Sequence, residues 1–155
     1  MKNIALSFPL TSQRTIKRAL TLLENHLREP GVAFTSTHFS RDWIRLKLAN
    51  QERELFMVLL LDNQNRLLAH ETLFHGTISS TVVYPREVVK AALRHNAAAV
   101  ILAHNHPSGF AEPSDADRNI TTRLKKALTL VEVRLLDHLV VGSKEIVSFA
   151  ERNWL

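Results

Sequence analysis

The chain has 155 residues, 45% of them hydrophobic, and a formal net charge of +5 at pH 7. This length fits one ordinary domain and not two, and the composition is typical of a soluble globular protein. No apolar run approaches the roughly 20 residues of a membrane helix, and the N-terminus lacks the features of a secretory signal. We therefore expect a cytoplasmic protein without membrane contact. The absence of cysteine excludes disulfides and thiolate metal sites, so a metal would need histidine and carboxylate ligands.

The excess of basic over acidic side chains, 20 against 15, is compatible with contact to a polyanion such as DNA. No basic cluster interleaved with aromatic residues accompanies this charge, and there is no Cys/His finger. A solvated basic surface would give the same balance. The charge alone therefore does not identify a nucleic-acid partner.

The first predicted element is an amphipathic helix near the N-terminus. Thr11 and Ser12 can cap this helix, because both residue types accept hydrogen bonds from free amides of a first turn. Leucine and isoleucine then recur at helical spacing as far as about Arg28. Pro30 and Gly31 are predicted to end the helix.

The segment that follows has no periodicity. Residues 29–40 are therefore predicted to be a linker, after which Ser40 caps a second, short helix. This pattern divides the chain into an N-terminal helix and linker, residues 1–40, and a main domain, residues 41–155.

The main domain is predicted to alternate strands and helices. The run LFMVLLL indicates a strand buried on both faces, and a polar turn leads from it into a hairpin partner. A helix is predicted from Pro85, a central strand over AAAVILAHNH, a helix from about Asp115 to Leu130, and two strands around Gly142. The predicted order is α, α, β, β, α, β, α, β, β, which is typical of an α/β domain.

Two histidines end the predicted central strand. Residues two apart in a strand project from the same face, so His104 and His106 present two imidazoles to one point while Asn105 turns away. Buried imidazoles need hydrogen-bond partners, so this pair is hard to explain by stability alone. The pattern indicates two preset metal ligands.

A third ligand follows the loop PSGFAEPS, which allows the chain to reverse. A helix that begins after Ser114 would bring Asp117 in its first turn back over the histidine pair. Zinc accepts imidazole and carboxylate ligands together, and a catalytic site needs three of them with one open position. Ser114 and Asp117 have the spacing of a helix capping pair as well, so the sequence leaves both interpretations open.

The segment HNHPSGFAEPSDAD contains His-x-His, seven residues, serine, two residues and aspartate, and it resembles the JAMM motif of MPN-type metallopeptidases. The flanking segments RELFMVLLLDNQNRLLAHETLFHGT, YPREVVKAALRHNAAAVILAHNHPSG and LLDHLVVG are similar to the bacterial RadC-related branch of that family. The resemblance extends from about Glu52 to the C-terminus. It implies a single MPN (JAMM)-type α/β domain with a mixed β-sheet flanked by helices and an N-terminal helical extension.

The resemblance also implies roles for individual residues. His104, His106 and Asp117 would be the ligands of one Zn²⁺ per chain. Ser114 would be a hydrogen-bond donor beside the metal that helps to hold an oxyanion. His138, in LLDHLVVG, is predicted from its strand position to make a structural hydrogen bond or one that supports a ligand.

A general base is implied upstream of the ligands, at the start of a core strand. Glu54, in RELFMVLLLD, corresponds to that position. Glu71, in AHETLFHGT, is the alternative, since it too lies in a hydrophobic hairpin near a turn. The geometry of the metal site is needed to decide between them.

These features predict a zinc-dependent hydrolase that cleaves a peptide or isopeptide amide with metal-activated water. The alternatives are a DNA-associated accessory protein of the RadC type and a catalytically silent zinc scaffold that binds a protein partner. Longer family members begin with a helix-hairpin-helix region, whereas this chain has one amphipathic helix and a linker, which weighs against DNA binding. The natural peptide or protein substrate is not identified by the sequence.

Overall fold

Four helices and five strands make up the part of the chain that the computed structural model describes, which is residues 8–29, 32–34, 38–49, 51–76 and 82–155. In chain order they are α1 (Leu10–Leu27), α2 (His38–Leu48), β1 (Leu55–Leu61), β2 (Leu67–His75), α3 (Pro85–Arg94), β3 (Ala99–Asn105), α4 (Asp115–Leu130), β4 (Arg134–Val141) and β5 (Ile146–Ser148). The predicted order of elements and the α/β class are confirmed. None of these helices is long and apolar enough to cross a membrane.

The strands form one mixed sheet in the order β2-β1-β3-β4-β5. The neighbours β3 and β4 are parallel and are joined through α4, whereas the other neighbouring pairs are antiparallel. β3 is thus the central strand, and every one of its residues is buried. A strand covered on both faces is mainly apolar. In β3 the polar residues are His104 and Asn105, which lie at its carboxyl end.

Helices cover both faces of the sheet. Side chains alternate along each strand, so each buried strand contributes apolar residues to both faces. On one face, Met57 and Leu59 of β1 pack in the same hydrophobic cluster as the buried residues of α1 and α2. On the other face, Phe56, Val58 and Leu60 pack with residues of α3 and α4. Full burial of such a side chain contributes about 1.5–3 kcal/mol, so these two layers are the main source of stability.

The predicted caps of α1, Thr11 and Ser12, are wrong. The helix begins at Leu10 with Pro9 at its N-cap, and no side-chain cap is formed there. Proline has a fixed φ suited to the start of a helix and lacks the amide that would need a partner. The carbonyl of Pro9 already accepts the first helical hydrogen bond, from the amide of Gln13 at 3.1 Å.

The N-terminal helix packs on the main domain. Leu20 and Leu23 are partly buried and Leu27 fully buried in the hydrophobic cluster that covers one face of the sheet. Pro30 and Gly31, the predicted end of the helix, lie outside the described residues. The helix therefore shares the core of the sheet, while a domain boundary at residue 40 stays a prediction.

The second helix begins earlier than predicted. It starts at His38, so Ser40 lies inside its first turn and is buried instead of acting as an exposed cap. The preceding segment also contributes to the core, because Phe34 is fully buried and its ring meets the ring of Trp43 edge to face, with centroids 6.0 Å apart. At Phe34 the predicted linker is thus part of the hydrophobic core.

Replacing Phe34 by alanine is expected to lower the free energy of unfolding by about 3–5 kcal/mol, because a fully buried ring is lost and a cavity remains. Denaturation by urea, followed by circular dichroism, measures this change. The matched control is Phe110→Ala, at a side chain that is 78% exposed, for which a change within about 0.5 kcal/mol is expected. Equal, small changes in both variants would contradict the assignment of Phe34 to the core.

Candidate metal centre

The two histidines lie at the carboxyl end of the central strand. His104 is paired with Phe56 across the β1–β3 ladder, and its ring stacks on that phenyl ring with centroids 6.0 Å apart. The amide of His106 donates to the carbonyl of Val141 at 2.9 Å, so the strand geometry persists beyond the end of β3. Both imidazoles therefore project from the face of the sheet that α3 and α4 cover.

The loop after His106 is held against the turn that follows β4. Gly109 adopts a left-handed φ of 87°, which glycine tolerates best. Its carbonyl accepts a hydrogen bond from the amide of Ser143 at 2.9 Å. A Cβ atom on Gly142 would lie 2.6 Å from the carbonyl oxygen of Gly109 and 2.9 Å from the nitrogen of Ala111. Glycine at position 142 thus permits the close approach that directs the chain back toward α4.

Ser114 and Asp117 form a capping box at the start of α4. The Ser114 hydroxyl oxygen accepts from the amide of Asp117 at 3.1 Å, and the Ser114 amide donates to Asp117 Oδ2 at 2.8 Å. This confirms the capping interpretation and leaves the ligand interpretation intact, because Asp117 Oδ1 faces His104 instead. The cap orients the carboxylate, and the helix N-terminus favours its negative charge.

Three ligand atoms converge where these elements meet. The Nε2 atoms of His104 and His106 lie 3.0 Å apart. Asp117 Oδ1 lies 3.3 Å from the first of them and Oδ2 lies 3.2 Å from the second. The three side chains offer ligand atoms within 4.8 Å of one another, and together they could hold a metal ion. Two imidazoles and a carboxylate are donors that zinc accepts.

The hydrogen bonds around the cluster turn lone pairs toward its centre. His106 Nδ1 lies 2.8 Å from the carbonyl oxygen of Phe110, which can only accept, so Nδ1 carries the proton and Nε2 of the neutral ring a lone pair. Asp117 raises the pKa of His106, because the protonated imidazole can donate to this carboxylate. Burial alone would raise the pKa of Asp117, but the two nearby imidazoles, which can donate to it when protonated, lower that pKa well below its usual range. The carboxylate is therefore charged, and the cluster favours a cation.

Glu54 is the acidic neighbour of this cluster. It immediately precedes β1, is partly buried, and its carbonyl accepts from the amide of Gly76 at 2.7 Å. Glu54 lies two residues before Phe56, the partner of His104, and therefore at the same end of the sheet as His106. After the larger effect of Asp117, the charge of Glu54 also contributes to the raised pKa of His106.

The backbone on both sides of Glu54 is held by one buried side chain. Asn105 Oδ1 accepts from the amide of Leu55 at 2.8 Å, and its Nδ2 donates to the carbonyl of Arg53 at 3.0 Å. Sequence reasoning missed this positioning role, because the partners lie about 50 residues away along the chain. The available signal is an amide side chain inside an otherwise apolar strand, which requires hydrogen-bond partners.

Glu71, the alternative base, lies on the edge strand β2. It is paired with Val58 in the β1–β2 ladder, so β1 separates its strand from β3. Its carboxylate accepts two hydrogen bonds from Arg94, at 2.8 and 2.6 Å, and lies 3.4 Å from His95 Nε2. The structure thus joins Glu71 to the end of α3 and does not include it in the metal-ligand cluster.

The sequence matches one protein family over most of its length. Residues 34–154 match the model of the RadC-like JAB domain. This range contains all three candidate ligand residues of the cluster, together with Glu54, Asn105 and Ser114. The match agrees with the resemblance that the His-x-His segment and its flanking sequences indicate.

Relatives at high identity cover nearly the whole chain. The UPF0758 protein YfjY of Escherichia coli strain K12 is 67% identical over 147 residues, which are 95% of this chain and 92% of YfjY. The UPF0758 protein YkfG of the same strain is 63% identical over 143 residues, or 92% and 90% of the two chains. A UPF0758 protein of Cellvibrio japonicus strain Ueda107 is 57% identical over 143 residues, 90% of this chain and 64% of that protein. The chain therefore belongs to the RadC-like JAB domain family.

Proposed function

We propose that this protein is a zinc-dependent hydrolase that cleaves a peptide or isopeptide amide. The observation that carries the proposal is the convergence of His104, His106 and Asp117 on one point at the end of the central strand. Among the residues that the structure describes, this group contains three ligand residues and not four. Three protein ligands with an open position are typical of catalytic zinc sites, whereas structural sites are closed by a fourth. The ligand count therefore favours an enzyme over a silent scaffold.

The reaction divides into a Lewis-acid part and a proton-transfer part. Bound zinc would supply the Lewis acidity that polarises a scissile carbonyl and lowers the pKa of water. Glu54 would accept a proton from the attacking water and return it to the leaving nitrogen. The Ser114 hydroxyl accepts from the amide of Asp117, so its own hydrogen can donate to the oxyanion of the substrate.

Two observations support Glu54 as the base in preference to Glu71. The charge of Glu54 contributes to the raised pKa of His106, and Asn105 holds the backbone on either side of Glu54. Glu71 is engaged by Arg94 through both carboxylate oxygens. A carboxylate held in this way is poorly suited to proton transfer at a site beyond the neighbouring strand.

The proposal is tested by assaying metal-free, zinc-loaded and chelator-treated protein on a panel of peptides and isopeptide-linked peptides. Hydrolysis is expected with zinc, is expected to disappear when a chelator removes the ion, and is expected to return when zinc is restored. Mass spectrometry of the products identifies the bond that is cleaved. A His104→Ala preparation, purified in parallel, controls for contaminating peptidases.

Two outcomes would contradict the proposal. A protein that binds zinc at the cluster with a side chain in the fourth position, and cleaves no member of the panel, would be a scaffold. Retention of DNA by such an inactive protein, with an affinity that falls steeply as salt rises, would instead favour the accessory role.

A further inference from the structure

A third histidine lies directly behind the metal-ligand cluster. His138, on β4, is fully buried, in contrast to the partly exposed His106. The ring of Phe149 stacks on it with centroids 4.8 Å apart, and the ring of Phe56 meets it edge to face at 5.6 Å. Packing against these two rings fixes the plane of the imidazole, so the direction of each ring nitrogen is set.

A continuous chain of short contacts runs from α4 through this ring to the cluster. The Oγ1 atom of Thr121 lies 2.6 Å from the carbonyl oxygen of Asp117 and 2.6 Å from His138 Nδ1. On the other side of the ring, His138 Nε2 lies 2.8 Å from His104 Nδ1. His104 then presents its remaining nitrogen, Nε2, to His106 and Asp117.

The positions of the protons along this chain follow from what each atom can donate. A carbonyl oxygen only accepts, and a threonine hydroxyl has a single hydrogen, so Thr121 donates that hydrogen to Asp117. Thr121 must then accept from His138, whose Nδ1 carries the proton. The neutral His138 ring accepts at Nε2, and His104 therefore donates from Nδ1.

The opposite proton order is disfavoured. If Thr121 donated to His138, no hydrogen would lie between the hydroxyl oxygen and the carbonyl oxygen of Asp117, which are only 2.6 Å apart. A doubly protonated His138 would place a charge between two phenyl rings in a fully buried position, where charge is costly. Only the first order satisfies all three contacts that link Asp117, Thr121, His138 and His104.

We propose that Thr121 and His138 are positioning residues that hold His104 in the Nδ1-protonated tautomer, whose Nε2 lone pair faces the metal site. The proposal rests on the proposed function in that the cluster is taken to bind a metal. The direction of proton donation along these hydrogen bonds is set by the main-chain carbonyl of Asp117, which can only accept. The side chain of Asp117 is itself a candidate ligand. Helix α4 thus supplies one ligand directly and fixes the protonation of a second, as ligand-supporting hydrogen bonds do in metal sites generally.

The test begins with the metal-free protein, so it does not depend on metal binding. Long-range ¹H–¹⁵N correlation spectra, recorded at a pH about two units above the ordinary histidine pKa of about 6.5, distinguish the two neutral tautomers. The wild-type His104 ring is expected to be protonated at Nδ1. In Thr121→Val, which keeps the shape but removes the hydroxyl, a substantial fraction of His104 is expected to shift to the Nε2 tautomer. Thr121→Ser is expected to restore the wild-type spectrum.

The second readout is zinc affinity, measured by competition with a chromophoric chelator. Thr121→Val is expected to bind zinc about 10–100-fold more weakly, and Thr121→Ser within a few-fold of wild type. The matched control is Thr122→Val, the next residue of α4, which is exposed and whose hydroxyl bonds to the carbonyl of Arg118 at 3.1 Å. It is expected to change neither the tautomer nor the affinity.

The outcomes separate this proposal from the proposed function. A wild-type His104 protonated at Nε2, or a Thr121→Val spectrum identical to wild type, would overturn the positioning role whatever the zinc affinity. The expected spectra together with no zinc binding by wild type would support the proton order and contradict the metal site. If Thr121→Val fails to fold, as judged by circular dichroism, Thr121→Ala is measured in its place.

Discussion

Replacing His104 and His106 together by alanine is expected to abolish stoichiometric zinc binding. Wild-type protein should retain about one equivalent of zinc per chain, since three side chains converge on one point. Asp117 would be the remaining ligand of the cluster, and the chain has no cysteine that could substitute for a lost histidine. Elemental analysis after exhaustive dialysis measures the zinc content of both proteins.

The metal-free double variant is expected to stay folded, unlike a zinc finger. The cluster lies at the end of β3, whose pairing with β1 and β4 covers the whole strand and does not depend on an ion. Circular dichroism should therefore show a retained helix and sheet signal. The matched control is the double variant His26→Ala and His75→Ala, at histidines outside the cluster, which should retain its zinc. A full equivalent of zinc in the variant of His104 and His106 would contradict the site.

The type and order of the elements could be predicted because each carries a strong local signal. The apolar run of β1, the proline at the first position of α3 and the apolar run of β3 each indicate one structure without reference to the rest of the chain. Phe34 shows the limit of this approach. Its segment has no periodicity, and its burial depends on Trp43, which the fold brings to it from α2.

The convergence of the three candidate metal ligands could be predicted for a related reason. His104, His106 and Asp117 lie in one short segment, and strand alternation together with a helix start is enough to bring them to one point. The spacing of Ser114 and Asp117 also predicts where α4 begins. The capping box that orients the Asp117 carboxylate fixes the first turn of this helix as well.

The partners of the residues around the ligands could not be assigned from sequence, because they lie on distant segments. For His138 the strand position predicts a structural or ligand-supporting hydrogen bond, but it does not identify His104 and Thr121 as the partners. Asn105 acts on main-chain groups about 50 residues earlier, and the register of two antiparallel strands decides that pairing. His138 and Thr121 are 17 residues apart in sequence, yet one short contact joins them. A direction of proton donation follows only when both ends of such a chain are known.

Replacing Glu54 by glutamine is expected to lower the rate of hydrolysis by about 10²–10⁴-fold, the usual effect of losing a positioned general base. Glutamine is nearly isosteric with glutamate, and Glu54 is no member of the ligand cluster, so zinc content and fold should be unchanged. Single-turnover rates on the substrate selected from the peptide and isopeptide panel measure the effect. The residual rate would come from the metal and from the Ser114 hydroxyl, which the substitution leaves in place.

The matched control is Glu71→Gln, which removes a carboxylate of the same length from the neighbouring edge strand. Its expected rate is that of wild type, because Glu71 is bonded to Arg94 and His95 and not to the ligand cluster. Loss of this exposed ion pair should change the free energy of unfolding by no more than about 1 kcal/mol. Full activity in Glu54→Gln together with inactivity in Glu71→Gln would transfer the role of base to Glu71. Full activity in both variants would mean that neither carboxylate moves the proton, and the reaction would then need a base from the substrate or the solvent.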